Sequence, residues 1–530
     1  MNSFFFLGDE MIVKQNNSFA KGAAWLAVST LLLKIIGLIY KIPLSYMLGD
    51  EGMGYFNSAY TVYVFFYVIG TAGIPKAISI IVSKKEAELP GCGHSVFKSA
   101  FAFFSFSGLL LLAVFVSCAD FFARTIGNEK SVVAMYAIAP SILFVCASGV
   151  IRGYLSGKMK FEKIAISELI SGVLKLVLGL LFAYIASKTG KSLPTIAGYT
   201  ILGITLGSLG SLIYLCLSLR EKDKCNVELS KKELIGEILR IAIPITLASA
   251  LGSIVNILDL TIMMNGLAAD GFDSNIANIL YGNYTTLAVP MVSLVSTMLS
   301  PITTAILPLL TSSYAKKNTK KYKDLLYDSL WLASLISVPT AIVFAFFPTE
   351  LLSLIFEKGS AVIGAPLLMS LAPAVLFLGP LSILNTSIEA AEKPNVVLLS
   401  LGAGASVKLL IGLFLLKYTD AGILAAPLGT SLSYLSSYCM SSIYSRKLCR
   451  MKFAVIRSSC MPVLASAIAL IVSLFIKKLG LFSIHSRLSA LALAAVFSLC
   501  YILSLILLSP KLQNTLSKCV KMNKKRTKQL

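Results

Sequence analysis

Runs of roughly 20 predominantly apolar residues, the length that carries an α-helix across the hydrocarbon core of a bilayer, recur from near the start of this chain almost to its end. That recurrence leaves few folds open. Lipid offers no partner to backbone N–H and C=O groups, so each run must close its hydrogen bonds within itself as a helix. A transmembrane barrel would instead need strands of about 10 residues alternating apolar with polar, and no such alternation is present. Composition agrees, with 56% hydrophobic and 14% charged residues among 530 and a mean hydropathy of +0.82. Soluble globular chains lie well below that.

The spans fall at 22–44, 57–82, 97–119, 131–155, 163–186, 195–219, 237–264, 279–311, 325–347, 361–386, 395–417, 420–445, 454–476 and 487–508, fourteen in all. Pro290, Pro301 and Pro308 predict a broken helix in 279–311. Cytoplasmic loops retain positive charge. With both termini cytoplasmic, that side holds Lys84 and Lys85, then Lys158, Lys160 and Lys163, then Arg220, Lys222, Lys224, Lys231 and Lys232. It also holds Lys316, Lys317, Lys320, Lys321 and Lys323, and Arg446, Lys447, Arg450 and Lys452. Opposite loops are sparse and partly acidic, with Asp50, Glu51, Asp270, Asp273, Glu350 and Glu357. The formal charge of +22 is thus a matter of topology, and no nucleic-acid partner is expected. The basic tail 511–530 is expected on the anionic inner leaflet.

Ten cysteines without CxxC spacing, and only His94 and His485 as histidines, predict no disulfide framework, no metal site and no cofactor. The first ten residues lack the basic region and cleavage site of a signal peptide, and Met1 and Met11 are both candidate starts.

Residues 139–180 match 372–413 without gaps at an offset of 233. Ala139, Pro140, Leu143 and Phe144 meet Ala372, Pro373, Leu376 and Phe377, and KLVLGL from Lys175 meets KLLIGL from Lys408. Six spans separate the copies, so the halves run in the same direction through the membrane, as parallel repeats do. The expected architecture is all-α: a cytoplasmic N-terminal segment (1–21), a first six-helix lobe (22–219), a basic linker (220–236), a second six-helix lobe (237–445), and two extra helices (446–510) before the basic tail.

Charge near the bilayer centre is costly, so intramembrane charges are functional candidates. At about 1.5 Å of rise per residue, Lys34, Lys175 and Lys408 each lie near the middle of a span. Lys41 shares a helix face with Lys34 and lies two residues before Pro43, at the interface or in the cavity. Lys76 and Arg152 lie toward cytoplasmic ends, where they either snorkel or face inward. Glu168, seven residues before Lys175, is its candidate partner. The first lobe is net cationic, which a wet cavity or an anionic ligand makes tolerable. The second is nearly neutral, with Asp259 in span seven against Lys408 in span eleven. The glycine-rich stretch 48–56, with Gly49, Gly52 and Gly54, reads as a loop closing the outer side against residues 265–278, and Gly73 and Pro75 supply a second candidate gate. Gly203 and Gly207 form a GxxxG that packs helices.

The segments GAAWLAVSTLLLKIIGLIYKIPL (22–44), LGDEGMGYFNSAYTVY (48–63), GIPKAISIIVSK (73–84) and RGYLSG (152–157) resemble the polysaccharide biosynthesis and stage V sporulation protein B family of the multidrug/oligosaccharidyl-lipid/polysaccharide (MOP) flippase superfamily. The resemblance covers essentially the whole chain. It implies an alternating-access flippase related to lipid II flippases, and not an enzyme. It further implies a cationic cavity, mapped onto Lys34, Lys41, Lys76, Arg152 and Lys175, facing the diphosphate of an undecaprenyl-linked sugar, and a groove for the lipid tail beside the extra helices. The expected setting is the bacterial cytoplasmic membrane, with membrane lipids as partners and a monomeric state. Where the family element reads like RGYFQG this chain has RGYLSG, and IEAAEKPN (388–395) replaces an LQG-like turn, which leaves the sugar open. Some relatives are expected to bind sodium through acids of spans seven and eleven. Here span eleven offers Lys408, either a tethered cation that compensates Asp259 or a further substrate ligand.

Three other functions are weighed. A multidrug exporter of the same superfamily should carry acidic residues around a cationic drug, opposite in sign to the first lobe. A membrane glycan polymerase needs acids or His on sizeable loops, and these loops are short. A non-transporting scaffold gains nothing from intramembrane charge.

Overall fold

Helix succeeds helix along the whole computed structural model, which describes residues 2–88, 92–219, 230–356, 358–449, 454–479 and 487–508. By contacts the chain divides into two units, up to Thr286 and from Leu287. The first contains α1 (Asn2–Thr71), α2 (Ile74–Glu88), α3 (Gly93–Ile126), α4 (Val132–Ile138), α5 (Pro140–Gly157), α6 (Phe161–Lys188), α7 (Leu193–Ser218), α8 (Lys231–Ala269) and α9 (Ser274–Asn283). The second contains α10 (Val289–Ala315), α11 (Thr319–Phe346), α12 (Pro348–Ile355), α13 (Lys358–Ser370), α14 (Ala372–Ala390), α15 (Pro394–Tyr418), α16 (Ala425–Cys449), α17 (Ala454–Lys478) and α18 (Arg487–Leu508). No strand occurs among the described residues. The basic stretch 220–229, Arg450, Lys452, Glu357, His485 and the tail 511–530 lie outside them.

Twelve helical stretches among the described residues are long and apolar enough to cross a membrane, and the chain is an integral membrane protein. Two places account for the difference from fourteen. The stretch Val28–Glu86 runs 59 residues, about 88 Å at the helical rise against a core of about 30 Å, and so supplies two crossings. The other is α16, long enough to span but rich in serine. Its serines turn inward: Ser400 Oγ donates to Ser437 O, Ser437 Oγ donates back to Ser400 O, each at 3.0 Å, and Ser441 Oγ lies 2.8 Å from Asn385 Oδ1. Outward faces carry large apolar side chains instead, such as Phe106 at 68% and Leu488 at 77% exposure, the belt that lipid contact requires.

Chain breaks follow residue chemistry. Gly49 alone takes a left-handed backbone (φ 62°) inside α1, a conformation that costs glycine little. The expected loop at 48–56 is therefore corrected to a kink, because Gly52 and Gly54 continue as buried helix. Proline starts the second part of two broken spans, at Pro140 after α4 and at Pro373 after α13, positions that correspond in the internal repeat. Between α9 and α10 the chain makes a π-helical turn at Tyr284–Ala288, just ahead of Pro290, whereas Pro301 and Pro308, also expected to break this span, lie inside the continuous helix α10. Cysteine chemistry departs from expectation at one place, since Cys92 is disulfide-bonded.

Lipid tails are as apolar as leucine, so helices associate here through close packing of small residues. A Cβ on Gly203 of α7 would stand 2.5 Å from Gly179 N and Cα and 3.0 Å from Lys175 O of α6. The second unit repeats the arrangement more loosely, with a Cβ on Gly429 of α16 3.1 Å from Lys408 O and 3.8 Å from Gly412 N of α15. Lys175 and Gly179 are the repeat counterparts of Lys408 and Gly412. One apolar cluster of the first unit joins Ile78 and Ile81 of α2, Val96 of α3, Ile151 of α5 and Ile238 of α8. In the second, Phe347, Ala465, Phe497 and Tyr501 form another.

Candidate functional site

Two lysine amines of the first unit come close enough to repel one another, one on α1 and one on α6. Lys41 Nζ donates to the carbonyl of Thr285 at 3.3 Å. Thr285 lies in the π turn, where the donor five residues on would be Pro290, which has no N–H. Lys175 Nζ stands 5.2 Å from the ring centroid of Tyr40 and 5.5 Å from that of Tyr60, within cation–π range of both. Among the described residues neither amine pairs with a carboxylate. Tyr40 is buried, with its hydroxyl 3.5 Å from Thr200 O. Tyr60 stacks on Phe56 at 6.2 Å and 12°, and the ring series continues through Tyr63 to Tyr67.

The other charges are arranged differently. Glu168 does not pair with Lys175. It lies 3.6 Å from Arg152 Nη1, whose Nη2 donates to Ser211 Oγ at 3.0 Å. The shared helix face was the wrong guide because α5 brings an arginine nearer than one helix can bring its own lysine. This pair is partly exposed, so its worth is small. Glu168→Gln should cost about 1 kcal/mol of stability, and Arg152→Gln beside it should restore most of that, as thermal unfolding in detergent can measure. Lys34 and Lys76 are exposed, on α1 and at the start of α2. Asp259, in α8, is buried, and Lys408, in α15, is half-buried.

The candidate gate residues are tightly packed. Asn278 Nδ2 donates to Glu51 O at 2.8 Å, and Asn128 Nδ2 donates to Asn278 Oδ1 at 2.7 Å and Ser58 Oγ at 3.0 Å. Asn57 Nδ2 reaches Thr286 Oγ1 at 2.8 Å. A Cβ on Gly282 would lie 2.9 Å from Gly54 Cα, so α1 and α9 cross backbone to backbone. A side chain on Gly73 would strike the Ala242 carbonyl of α8, and Pro75 packs against Gly149 and Gly153 of α5.

In the second unit, an apolar cavity of about 570 Å³ is lined by Met291, Met298, Phe344, Leu354, Phe497 and Ile502, with Glu350 at its edge. Lys477 Nζ bonds to Glu350 and lies over the Phe347 ring. Tyr40, Tyr60, the Thr285 carbonyl and this ion pair went unseen in the sequence. The one available signal was Tyr40 beside Lys41, in IYKIP.

A multi-pass helical bundle with an internal repeat and lysines inside its spans is the class of membrane protein that the comparisons place in the MOP superfamily. The polysaccharide biosynthesis protein family model matches residues 19–314, and this chain belongs to that family. A MatE family model matches 284–414. Stage V sporulation protein B of Bacillus subtilis (strain 168) is 22% identical over 426 residues, covering 78% of this chain and 80% of the relative. Lipid II flippase MurJ of the same organism is 21% identical over 452 residues, covering 80% and 82%. A solved structure of lipid II flippase MurJ in an inward closed conformation superimposes with a TM-score of 0.70 at 16% identity, over 91% of this chain and 98% of that one.

Proposed function

We propose that this protein moves an anionic lipid-linked sugar of the polyprenyl diphosphate class between the leaflets of the bacterial cytoplasmic membrane by alternating access. The observation that carries the reading is that the Lys41 amine rests on a neutral carbonyl and the Lys175 amine on two tyrosine rings, and that among the described residues neither pairs with a carboxylate. Two positive charges of one unit without acidic partners suit a diphosphate and oppose a cationic drug. Relatives named lipid II flippase and stage V sporulation protein B support the same class. Lys34 and Lys76 extend the positive field, Arg152 is held by Glu168, and the apolar cavity beside α18 suits the lipid tail. Transport rather than catalysis is the activity, by a monomer with both termini in the cytoplasm.

Purified protein in proteoliposomes is expected to translocate fluorescent lipid II and to leave a cationic dye in place. Dye efflux without lipid movement would overturn the reading in favour of a multidrug exporter. With Lys408 in place of a bound cation, rates in sodium and choline buffers should agree, and a sodium requirement would remove that role from Lys408.

With positive charge inside, the seam of Gly49, Gly52 and Gly54 against α9 lies at the outer face and acts as a gate, while Gly73 and Pro75 pivot α2. An ideal Cβ on Gly54 would lie 2.4 Å from the backbone oxygen of Asn278, so a side chain there holds the seam apart. Gly54→Val is expected to lower transport at least about tenfold in protein that still folds, as circular dichroism and gel filtration check. Wild-type transport by Gly54→Val puts the gate elsewhere.

A further inference from the structure

The Lys175 ammonium is held at both ends of its side chain. At the backbone, Gly203 and Gly207 of α7 press on it, since Cβ atoms there would lie 3.0 Å from Lys175 O and 3.3 Å from Lys175 N. At the tip, two tyrosine rings flank the amine. Tyr40 is not free to turn away, and Tyr60, though 36% exposed, is braced by its ring neighbours. Tyr40 is 2% exposed and abuts Gly179, where a Cβ would lie 2.9 Å from its ring edge. Tyr60 is backed by Phe56 and Tyr63.

We propose that Tyr40 and Tyr60 are positioning residues for the anionic headgroup, which keep the Lys175 amine charged, aimed and transferable to phosphate. The proposal rests on the diphosphate reading above. A ring face attracts a cation through its quadrupole and leaves the net charge in place. A carboxylate would hold the amine more tightly and cancel the charge, so that phosphate would have to break a buried ion pair. Arg152 shows that alternative within the same unit, bound by Glu168 and Ser211. Lys175 has rings where Arg152 has an acid. Its charge therefore remains available, as does that of Lys41, which rests on a neutral carbonyl.

The test uses the full-length protein in nanodiscs, with farnesyl diphosphate as probe. Tyr60→Phe keeps the ring and should bind as the wild type does, whereas Tyr60→Leu should bind about tenfold more weakly. Lys175→Gln should weaken binding at least as much, and Tyr60→Leu added to it should weaken it no further, because the ring acts through the lysine. Tyr60→Phe as weak as Tyr60→Leu, or additive losses in the double variant, would overturn the proposal. A second readout needs no ligand. In protein carrying ¹³C-lysine, the Cε–Hε signal that disappears in Lys175→Arg should be ring-shifted upfield, stay so in Tyr60→Phe and move back in Tyr60→Leu. No upfield shift in the wild type overturns the cage whether or not the probe binds. A shifted signal in protein that does not bind the probe overturns the substrate class and leaves the cage standing.

Discussion

Lys175→Gln is expected to lower lipid translocation at least about 100-fold, roughly the 3 kcal/mol that a charge-assisted hydrogen bond to an anion supplies. Lys175→Arg should retain a measurable part of the rate, because a guanidinium keeps the charge and stacks well on aromatic faces. Shape differs more between lysine and arginine than between lysine and glutamine, so the comparison isolates charge. Lys41→Gln should be comparably inactive and also less stable by about 1 kcal/mol, since the Thr285 carbonyl loses its donor. Thermal unfolding of each purified variant separates the two effects. Equal transport by the Gln and Arg variants at position 175 would refute phosphate binding there.

The second large effect is structural. Gly203→Val should cost about 3 kcal/mol or more, because a side chain there meets Gly179 N and Cα at 2.5 Å and backbone cannot swing aside. In the other half of the repeat, the same register is roomier, with 3.1 Å to Lys408 O and 3.8 Å to Gly412 N. Gly429→Ala should therefore cost under about 1 kcal/mol. Melting temperatures in detergent check both. If the two substitutions cost the same, the crossing distance does not govern stability at these sites.

Hydropathy and proline made much of the fold legible. The apolar runs, the break ahead of Pro290 and the parallel repeat could all be read, and the repeat recurs in the structure as matching breaks before Pro140 and Pro373. Glycine misled at 48–56 because it serves two purposes that look alike in sequence. Gly49 is there for its backbone angle, whereas Gly54 is there so that α9 can come close. Intramembrane lysines were legible as isolated charges, but their neighbours were not. Glu168 sits on the same face as Lys175 and yet meets Arg152, a contact set by how α5 lies on α6. In a chain with 21 tyrosines the adjacency of Tyr40 to Lys41 is the one signal, and nothing singles out Tyr60.

The serine-lined contact between α15 and α16 has a consequence for biogenesis. A segment leaving the translocon enters lipid by itself only if its own side chains favour the transfer. Helix α16 falls short of that standard, for its hydroxyls at Ser437 and Ser441 find partners on α15 and at Asn385. Those partners are made earlier in the chain, and the turn from Tyr418 to Ala425 is short. The two helices are therefore expected to enter the bilayer as a hairpin, with α15 acting as the template on which α16 becomes membrane-soluble.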